Sequence, residues 1–282
     1  MITGSEFAAV VFGLTSAVSW GIGDFSGGLA TRRTPVLTVV LLSQFTGMIL
    51  LIALAVIRTE AAPTLSDILW GAGAGLVGQI GLFAFYRAMA IGQMGIAAPI
   101  AAVLSAAIPV VVGSFTQGLP DGLHLVGFLL ALIGVWFISR PHPEIGRPAG
   151  LELAVVAGLG FGGFLVLIAQ VHQNAVFWPL VAARVASITV MLGVILVQQR
   201  FAAPQRSQVP LIMFAGIMDT GGNAFFVLAA QAGTLAVAGV LSSLYPAATV
   251  VLALVILKEK LTKIQGAGIL LVLAAIPMIS LK

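Results

Sequence analysis

Long apolar stretches alternate with short polar breaks along the whole of this 282-residue chain. Within each stretch the apolar residues are continuous rather than alternating with polar ones, which argues against strands with one face in water. A helix needs about 20 mostly apolar residues to cross a bilayer. Ten stretches come near that length, at residues 7–29, 35–57, 67–90, 95–117, 121–139, 150–171, 177–199, 208–231, 234–257 and 263–280. The pattern predicts ten transmembrane helices joined by short loops.

The composition agrees with a protein that lies in a membrane. Hydrophobic residues make up 60% of the chain and charged residues only 8%, with a mean hydropathy of +1.15. Soluble domains carry about 25% charged residues, so a water-soluble globule is excluded. Inside lipid only helices and closed barrels satisfy the backbone, and the continuous apolar runs exclude a barrel. The predicted fold class is therefore all-α and polytopic.

The two halves of the chain read as copies of one another. An offset of 141 residues aligns the predicted helices of residues 1–141 with those of residues 142–282 without a gap. Matching positions include Trp20 and Phe161, Gly21 and Gly162, Phe85 and Phe226, and Gly127 and Gly268. Because each half has an odd number of helices, the second copy must enter the membrane upside down. Inverted repeats of this kind are typical of secondary transporters, with the substrate site between the repeats near the midplane.

Basic residues are distributed unequally between the two sides of the membrane. Of the 13 Lys and Arg residues, ten fall in or beside the loops that follow the odd-numbered helices. Arg58 and Lys282 fall on the opposite side, and Arg184 lies inside the seventh helix. Loops rich in Lys and Arg face the cytoplasm, so both termini are predicted to lie outside it. The net charge of +4 is therefore interpreted as a signal of orientation, and nucleic-acid binding is not predicted.

The chain carries no motif of an enzyme or of a cofactor site. It has no cysteine, and His124, His142 and His172 fall in different segments, so no metal site is predicted. Residues 73–78 and 158–163 match G-x-G-x-x-G, but a dinucleotide site needs a preceding strand and a later acidic residue. Both matches lie inside predicted membrane helices, where small residues allow close packing. No P-loop, H-E-x-x-H motif or pair of carboxylates within one span is present, and neither an enzyme nor a cofactor is predicted.

Asp219 is a carboxylate in the middle of the apolar eighth helix. Charged residues inside a membrane are costly and are functional candidates by default. One hypothesis makes Asp219 a proton-coupling group or a counter-ion for a substrate ammonium. The other is structural: an ion pair with Arg184, or a protonated carboxyl that is hydrogen-bonded to a neighbouring helix. The equivalent of Asp219 in the first half is Gly78, and a carboxylate present in only one half favours coupling or substrate contact. Asp24, near the end of the first helix, is the second coupling candidate.

Three short stretches, together with the tandem halves, carry a family resemblance. They are Ser-Trp-Gly-Ile-Gly-Asp at 19–24, Tyr-Arg-Ala-Met-Ala-Ile-Gly at 86–92, and Leu-Ser-Ser-Leu-Tyr-Pro at 241–246. With them the whole chain resembles the EamA-type, ten-helix members of the drug/metabolite transporter superfamily. It departs from the family pattern at residues 118–121, where Gly-Leu-Pro-Asp replaces the usual Gly-Glu-Arg-Leu-like turn.

The resemblance implies a basket of helices around a central cavity lined by helices 1, 3, 4, 6, 8 and 9. Aromatic faces suit apolar or cationic ligands, amides orient a substrate, and a proline frees a carbonyl. For each aromatic residue the alternative is packing between helices. The candidate substrate-binding residues on these helices are Trp20, Gln79, Phe83, Tyr86, Pro99, Phe161, Phe164, Asp219, Asn223 and Tyr245.

The predicted function is a secondary transporter of the bacterial inner membrane that moves small organic solutes by alternating access. The resemblance implies export of amino acids or related metabolites. The alternatives are transport of drugs or nucleosides, and a lipid flippase in which Lys258, Lys260 and Lys263 would bind head groups. Expected partners are the solute, the bilayer and, if Asp219 or Asp24 titrates, protons; the protein is expected to be a monomer or a homodimer. Members of the family that the chain resembles are commonly drawn with cytoplasmic termini. The orientation predicted here is the opposite one, because it rests on the Lys and Arg bias.

Overall fold

A computed structural model describes residues 4–91, 94–138, 150–198, 202–256 and 262–280, and all regular structure within them is helical. The ten predicted segments are all helical, which confirms the predicted fold class, and a 3₁₀ turn at Arg206–Gln208 precedes the eighth. The helices are α1 (Gly4–Thr31), α2 (Val36–Ile57), α3 (Leu65–Ile91), α4 (Met94–Thr116), α5 (Gly122–Ile138), α6 (Leu151–Ile168), α7 (Phe177–Gln198), α8 (Val209–Ala232), α9 (Leu235–Ser242), α10 (Tyr245–Ile256) and α11 (Lys263–Ser280).

The helices have the length and the surface expected of membrane spans. In the described part of the chain, α1, α2, α3, α7 and α8 are long and apolar enough to cross a bilayer, and the other five segments are shorter apolar helices. Large apolar side chains such as Ile49, Ile80 and Leu129 are exposed on the outside of the bundle. Such a surface is stable where lipid rather than water surrounds the protein.

The predicted ninth helix, 234–257, is interrupted. It forms two helices, α9 and α10, which are separated at Ser243 and Leu244. Pro246 is the second residue of α10, and it has no N–H to donate to the carbonyl four residues earlier. The prediction of one continuous helix was therefore wrong at this point. The interruption lies at the level of the central cavity, because Ser243 and Tyr245 line that cavity.

The helices pack according to a pseudo-two-fold relation between the halves. Helix α1 packs on α8 as α6 packs on α3, and α3 packs on α7 as α8 packs on α2. An aromatic contact is repeated in the same way: the ring centroids of Trp20 and Phe226 are 6.2 Å apart, and those of the equivalent Phe161 and Phe85 are 5.6 Å apart. The two halves are therefore interleaved, with the main helix contacts running between them. The predicted boundary at residues 141 and 142 lies outside the described residues.

The two glycine-rich stretches bring helices close together, as the sequence predicts. A Cβ atom at Gly75 of α3 would overlap the backbone carbonyl of Ala183 in α7. A Cβ atom at Gly160 of α6 would lie 2.5 Å from the Cα of Gly81 in α3. Small residues at these crossings allow the backbones to touch.

Polar contacts between the halves tie together one face of the bundle, here called the terminal face because α1 begins and α11 ends there. Glu60, after α2, accepts hydrogen bonds from the backbone N–H groups of residues 176–178 at the start of α7, at 2.9–3.2 Å. Asp67, in the first turn of α3, accepts one from the backbone N–H of His172 at 2.9 Å, and the His172 ring Nδ1 is 3.0 Å from the same oxygen. The Glu60 carboxylate thereby satisfies N–H groups that the start of a helix leaves free.

Replacing Glu60 with alanine is expected to lower the free energy of unfolding by about 1–2 kcal/mol, because three backbone N–H groups lose their acceptor. The measurement is the apparent Tm of the protein in detergent. Glu152→Ala is the control, since Glu152 lies near the start of another helix, in the first turn of α6, but is exposed. An equal fall in both variants would show that the contact between the halves contributes nothing.

Candidate functional site

A cavity of about 210 Å³ lies between the two halves. It is lined by α1, α2, α3, α6, α7 and α8, by Ser105 of α4 and by Ser243 and Tyr245 at the α9–α10 interruption. The central cavity implied by the family resemblance is therefore present. Its wall is wider than the resemblance implies, because α2 and α7 also contribute to it.

Arg184 is the centre of a hydrogen-bond network at this cavity. From α7 it donates to the Asp219 carboxylate on α8, to Oε1 of Gln44 on α2 at 2.5 Å, and to Oγ1 of Thr220 at 3.4 Å. Nε2 of Gln44 in turn donates to Oε1 of Gln79 on α3 at 3.4 Å. Arg184 is only 9% exposed, whereas the Asp219 side chain is 44% exposed. The pair thus presents a carboxylate to the cavity and keeps the guanidinium buried among its acceptors.

The Asp219–Arg184 pair breaks the symmetry between the repeats. The equivalent residues in the first half are Gly78 and Ser43. Asn223, one turn after Asp219, donates from Nδ2 to the Asp219 carbonyl at 2.8 Å and lies 3.4 Å from its carboxylate. The two halves therefore place different charged groups on a symmetric arrangement of helices.

Asp24 lies on α1 and lines the same cavity. Within the described residues its carboxylate has no ion pair and no hydrogen-bond donor. The backbone beside it packs closely on α8, since a Cβ atom at Gly23 would lie 3.1 Å from the backbone nitrogen of Asp219. With Asp24, Asp219 and Arg184 ionised, the described lining of the cavity carries one uncompensated negative charge.

Aromatic rings form much of the remaining wall. Trp20, one turn before Asp24, meets Tyr245 edge-on, with ring centroids 6.4 Å apart and planes at 84°. Phe161, the repeat equivalent of Trp20, meets Phe85 edge-on, with ring centroids 5.6 Å apart and planes at 65°. The wall therefore combines aromatic rings with a few polar groups, as ligand pockets commonly do.

The structure brings together most of the residues that the sequence singled out. Phe83 instead packs against an apolar cluster of α2 and α7, formed by Val40, Leu41, Ile188, Met191 and Ile195. Tyr86 and Pro99 belong to α3 and α4, but their side chains lie outside the described part of the structure. The predicted residues that line the cavity are Trp20, Asp24, Gln79, Phe161, Phe164, Asp219, Asn223 and Tyr245.

Sequence reasoning missed several lining residues. Gln44 is the most important, because it is 7% exposed and accepts from Arg184. A glutamine in the middle of an apolar span is the same signal that singled out Asp219, and it was available in the sequence. The serines at 43, 105, 187 and 243 also line the cavity, and a serine inside a membrane helix is too common to stand out.

Comparison with known proteins identifies the family. The model of the "EamA-like transporter family" matches residues 7–140 and 148–281, which correspond to the two repeats. A solved crystal structure, described only as that of a protein, superimposes with a TM-score of 0.82 over 97% of this chain and 98% of that one. Its sequence identity of 17% makes this a likeness of fold alone. No curated protein matches the chain. The protein is a multi-pass membrane transporter of the drug/metabolite type, and it belongs to the EamA-like transporter family.

Proposed function

We propose that the protein is a secondary transporter that carries amino acids or related metabolites through the central cavity by alternating access. The observation that carries this proposal is the position of the cavity, which lies between two inverted repeats and is lined by charged, amide and aromatic side chains. Its volume of about 210 Å³ suits a solute of amino-acid size better than a lipid or a large drug. The flippase alternative depends on Lys258, Lys260 and Lys263, and the first two lie outside the described residues.

The symmetric packing supports the alternating-access mechanism. Equivalent helix pairs in the two halves have similar contacts, so an exchange of their arrangements would close one face while it opened the other. The terminal face is held together by Glu60 and Asp67. Breaking these contacts is the change that alternating access would require on that face.

The proposal includes an orientation in the membrane, which rests on the distribution of Lys and Arg residues. The Lys and Arg bias places both termini outside the cytoplasm of a bacterial inner membrane. The terminal face would then be the outer one, and the contacts of Glu60 and Asp67 would close the route to the exterior.

Asp219 and Asp24 are the proposed coupling groups. Protonation of Asp219 would remove the charge that holds Arg184, and Arg184 also binds Gln44 on α2. Protonation of this one carboxylate would therefore change the contacts that join α2, α7 and α8. This property suits a group that links proton binding to helix movement.

The test is flux of a panel of radiolabelled amino acids in proteoliposomes, with and without a pH gradient. We expect saturable flux of a subset of the panel, driven by the gradient, and loss of the gradient-driven part in Asp219→Asn. Asp121→Asn is the control, because Asp121 is an exposed carboxylate that contacts His124 away from the cavity. Unchanged gradient-driven flux in Asp219→Asn would exclude Asp219 from coupling, and indifference of the unmutated protein to the gradient would indicate facilitated diffusion.

A further inference from the structure

The charges of the cavity are unevenly compensated. Arg184 is buried and already binds Asp219, Gln44 and Thr220. It is the only basic residue among the described residues that line the cavity. Asp24 is therefore the described lining carboxylate without a counter-ion, and carboxylates inside a membrane protein commonly mark a substrate or proton path.

The position of Asp24 suits a cationic group of a bound solute. Trp20 and Asp24 are four residues apart on α1 and hence lie on the same face of the helix. Tyr245 stands edge-on to Trp20, and both residues line the cavity. Aromatic faces attract ammonium groups, so carboxylate and rings together form a site for a cation.

The equivalent corner in the second repeat has the opposite character. At the 141-residue offset, Trp20 and Asp24 correspond to Phe161 and Leu165, and all four line the cavity. At these two positions, one repeat offers a carboxylate and an aromatic ring, and the other offers an aromatic ring and a leucine side chain. A solute with an ammonium at one end and an apolar body at the other fits this arrangement.

Among the described lining residues, no basic side chain besides Arg184 is available to a substrate carboxylate. Arg184 could bind one only by giving up acceptors of its network or by sharing its single positive charge with Asp219, and Asp24 would stay without a counter-ion. A zwitterionic amino acid would therefore bring a third carboxylate to a cavity whose only described cation is already in use. Removal of that carboxylate from the solute removes the conflict.

We infer that Asp24 binds the ammonium group of the substrate, and that the transporter selects monocationic amines with an apolar body over zwitterionic amino acids. This inference rests on the proposed transport function. Within the proposed class of amino acids and related metabolites, it favours the amines that lack the carboxylate. Asp219 then serves to hold Arg184 rather than to bind the solute.

The test compares 2-phenylethylamine with phenylalanine, since the two differ only in the carboxylate. Binding to the purified protein in detergent is measured by calorimetry, and flux of each is measured in proteoliposomes. We expect the amine to bind more tightly than the amino acid. Asp24→Asn should weaken amine binding roughly tenfold to a hundredfold, because the ammonium loses its counter-charge.

Asp24→Leu supplies a second variant, because it copies the residue at the equivalent position of the other repeat. It should abolish amine binding and leave the apparent Tm unchanged or raised, since Asp24 has no described partner to lose. A fall in Tm would instead assign Asp24 a structural role and would overturn the inference. Equal affinities for amine and amino acid, or an unaffected Asp24→Asn, would also overturn it. In those cases saturable flux of amino acids would leave the transport function standing, and absence of flux for every solute would overturn both.

Discussion

Replacing Arg184 with methionine is expected to lower the free energy of unfolding by about 3 kcal/mol, the lower end of the range for removing one member of a buried ion pair. Methionine keeps much of the side-chain volume but removes every hydrogen-bond donor. Asp219 loses its counter-ion, and Oε1 of Gln44 loses its described donor. The expected cost lies at the lower end because Asp219 is half-exposed to the cavity, where water can solvate it. Transport is expected to be lost as well, since the network joins α2, α7 and α8.

The measurement is thermal unfolding in detergent, followed by flux in proteoliposomes. Arg87→Met is the control, because Arg87 is an exposed arginine near the end of α3, and it should unfold like the unmutated protein. The double variant Arg184→Met/Asp219→Asn should recover most of the lost stability, since a neutral pair leaves no charge without a partner. It should not recover coupled flux. A double variant no more stable than Arg184→Met would show that the ion pair is not what stabilises this site.

Replacing Gly75 with leucine is expected to have an effect of similar size on folding. A side chain at this position would enter the backbone of Ala183 in α7. A backbone cannot move aside as a flexible side chain can, so we expect a loss of at least about 3 kcal/mol, the upper end of typical overpacking costs. The separation of α3 from α7 would also break the hydrogen bond from Ser187 Oγ to the Gly75 carbonyl, at 2.9 Å, and displace the neighbouring Arg184.

Gly73→Leu is the matched control on the same helix. A Cβ atom at Gly73 would meet nothing within 4 Å, so leucine there has free space. It should fold normally, with a stability equal to or slightly above that of the unmutated protein, because leucine is a better helix former than glycine. Yield of monodisperse protein in size-exclusion chromatography and the apparent Tm distinguish the two variants. Similar behaviour of both would mean that the α3–α7 crossing tolerates separation.

The membrane spans and the repeat were predictable because the bilayer imposes a strong and local constraint. Backbone groups in lipid must be paired within the same segment, so a long apolar run such as residues 36–57 can only be a helix. The interruption of the ninth segment was harder to predict. Prolines occur in unbroken helices too, as Pro109 does in α4, and the effect of Pro246 depends on what the neighbouring helices allow.

The candidate site was only partly predictable, because its composition depends on which way each helix faces. A membrane helix is apolar toward lipid and toward its neighbours alike, so periodicity says little about which face is buried. Phe83 and Phe85 illustrate this: both are aromatic and two residues apart, yet only Phe85 lines the cavity. Gln44 and Arg184 are separated by 140 residues in the chain, and nothing local connects them.

The sequence by itself determined the helical class, the number of segments and the inverted repeat, since these follow from the hydrophobicity of each segment and from a constant offset. It also raised the question of Asp219 and named Arg184 as its structural partner. Only the tertiary structure decided that these two residues are paired and that Asp24 is left without a described partner at the cavity. The physical reason is that the cost of a charge in a membrane depends on its neighbours in space, and those neighbours come from helices distant in the chain.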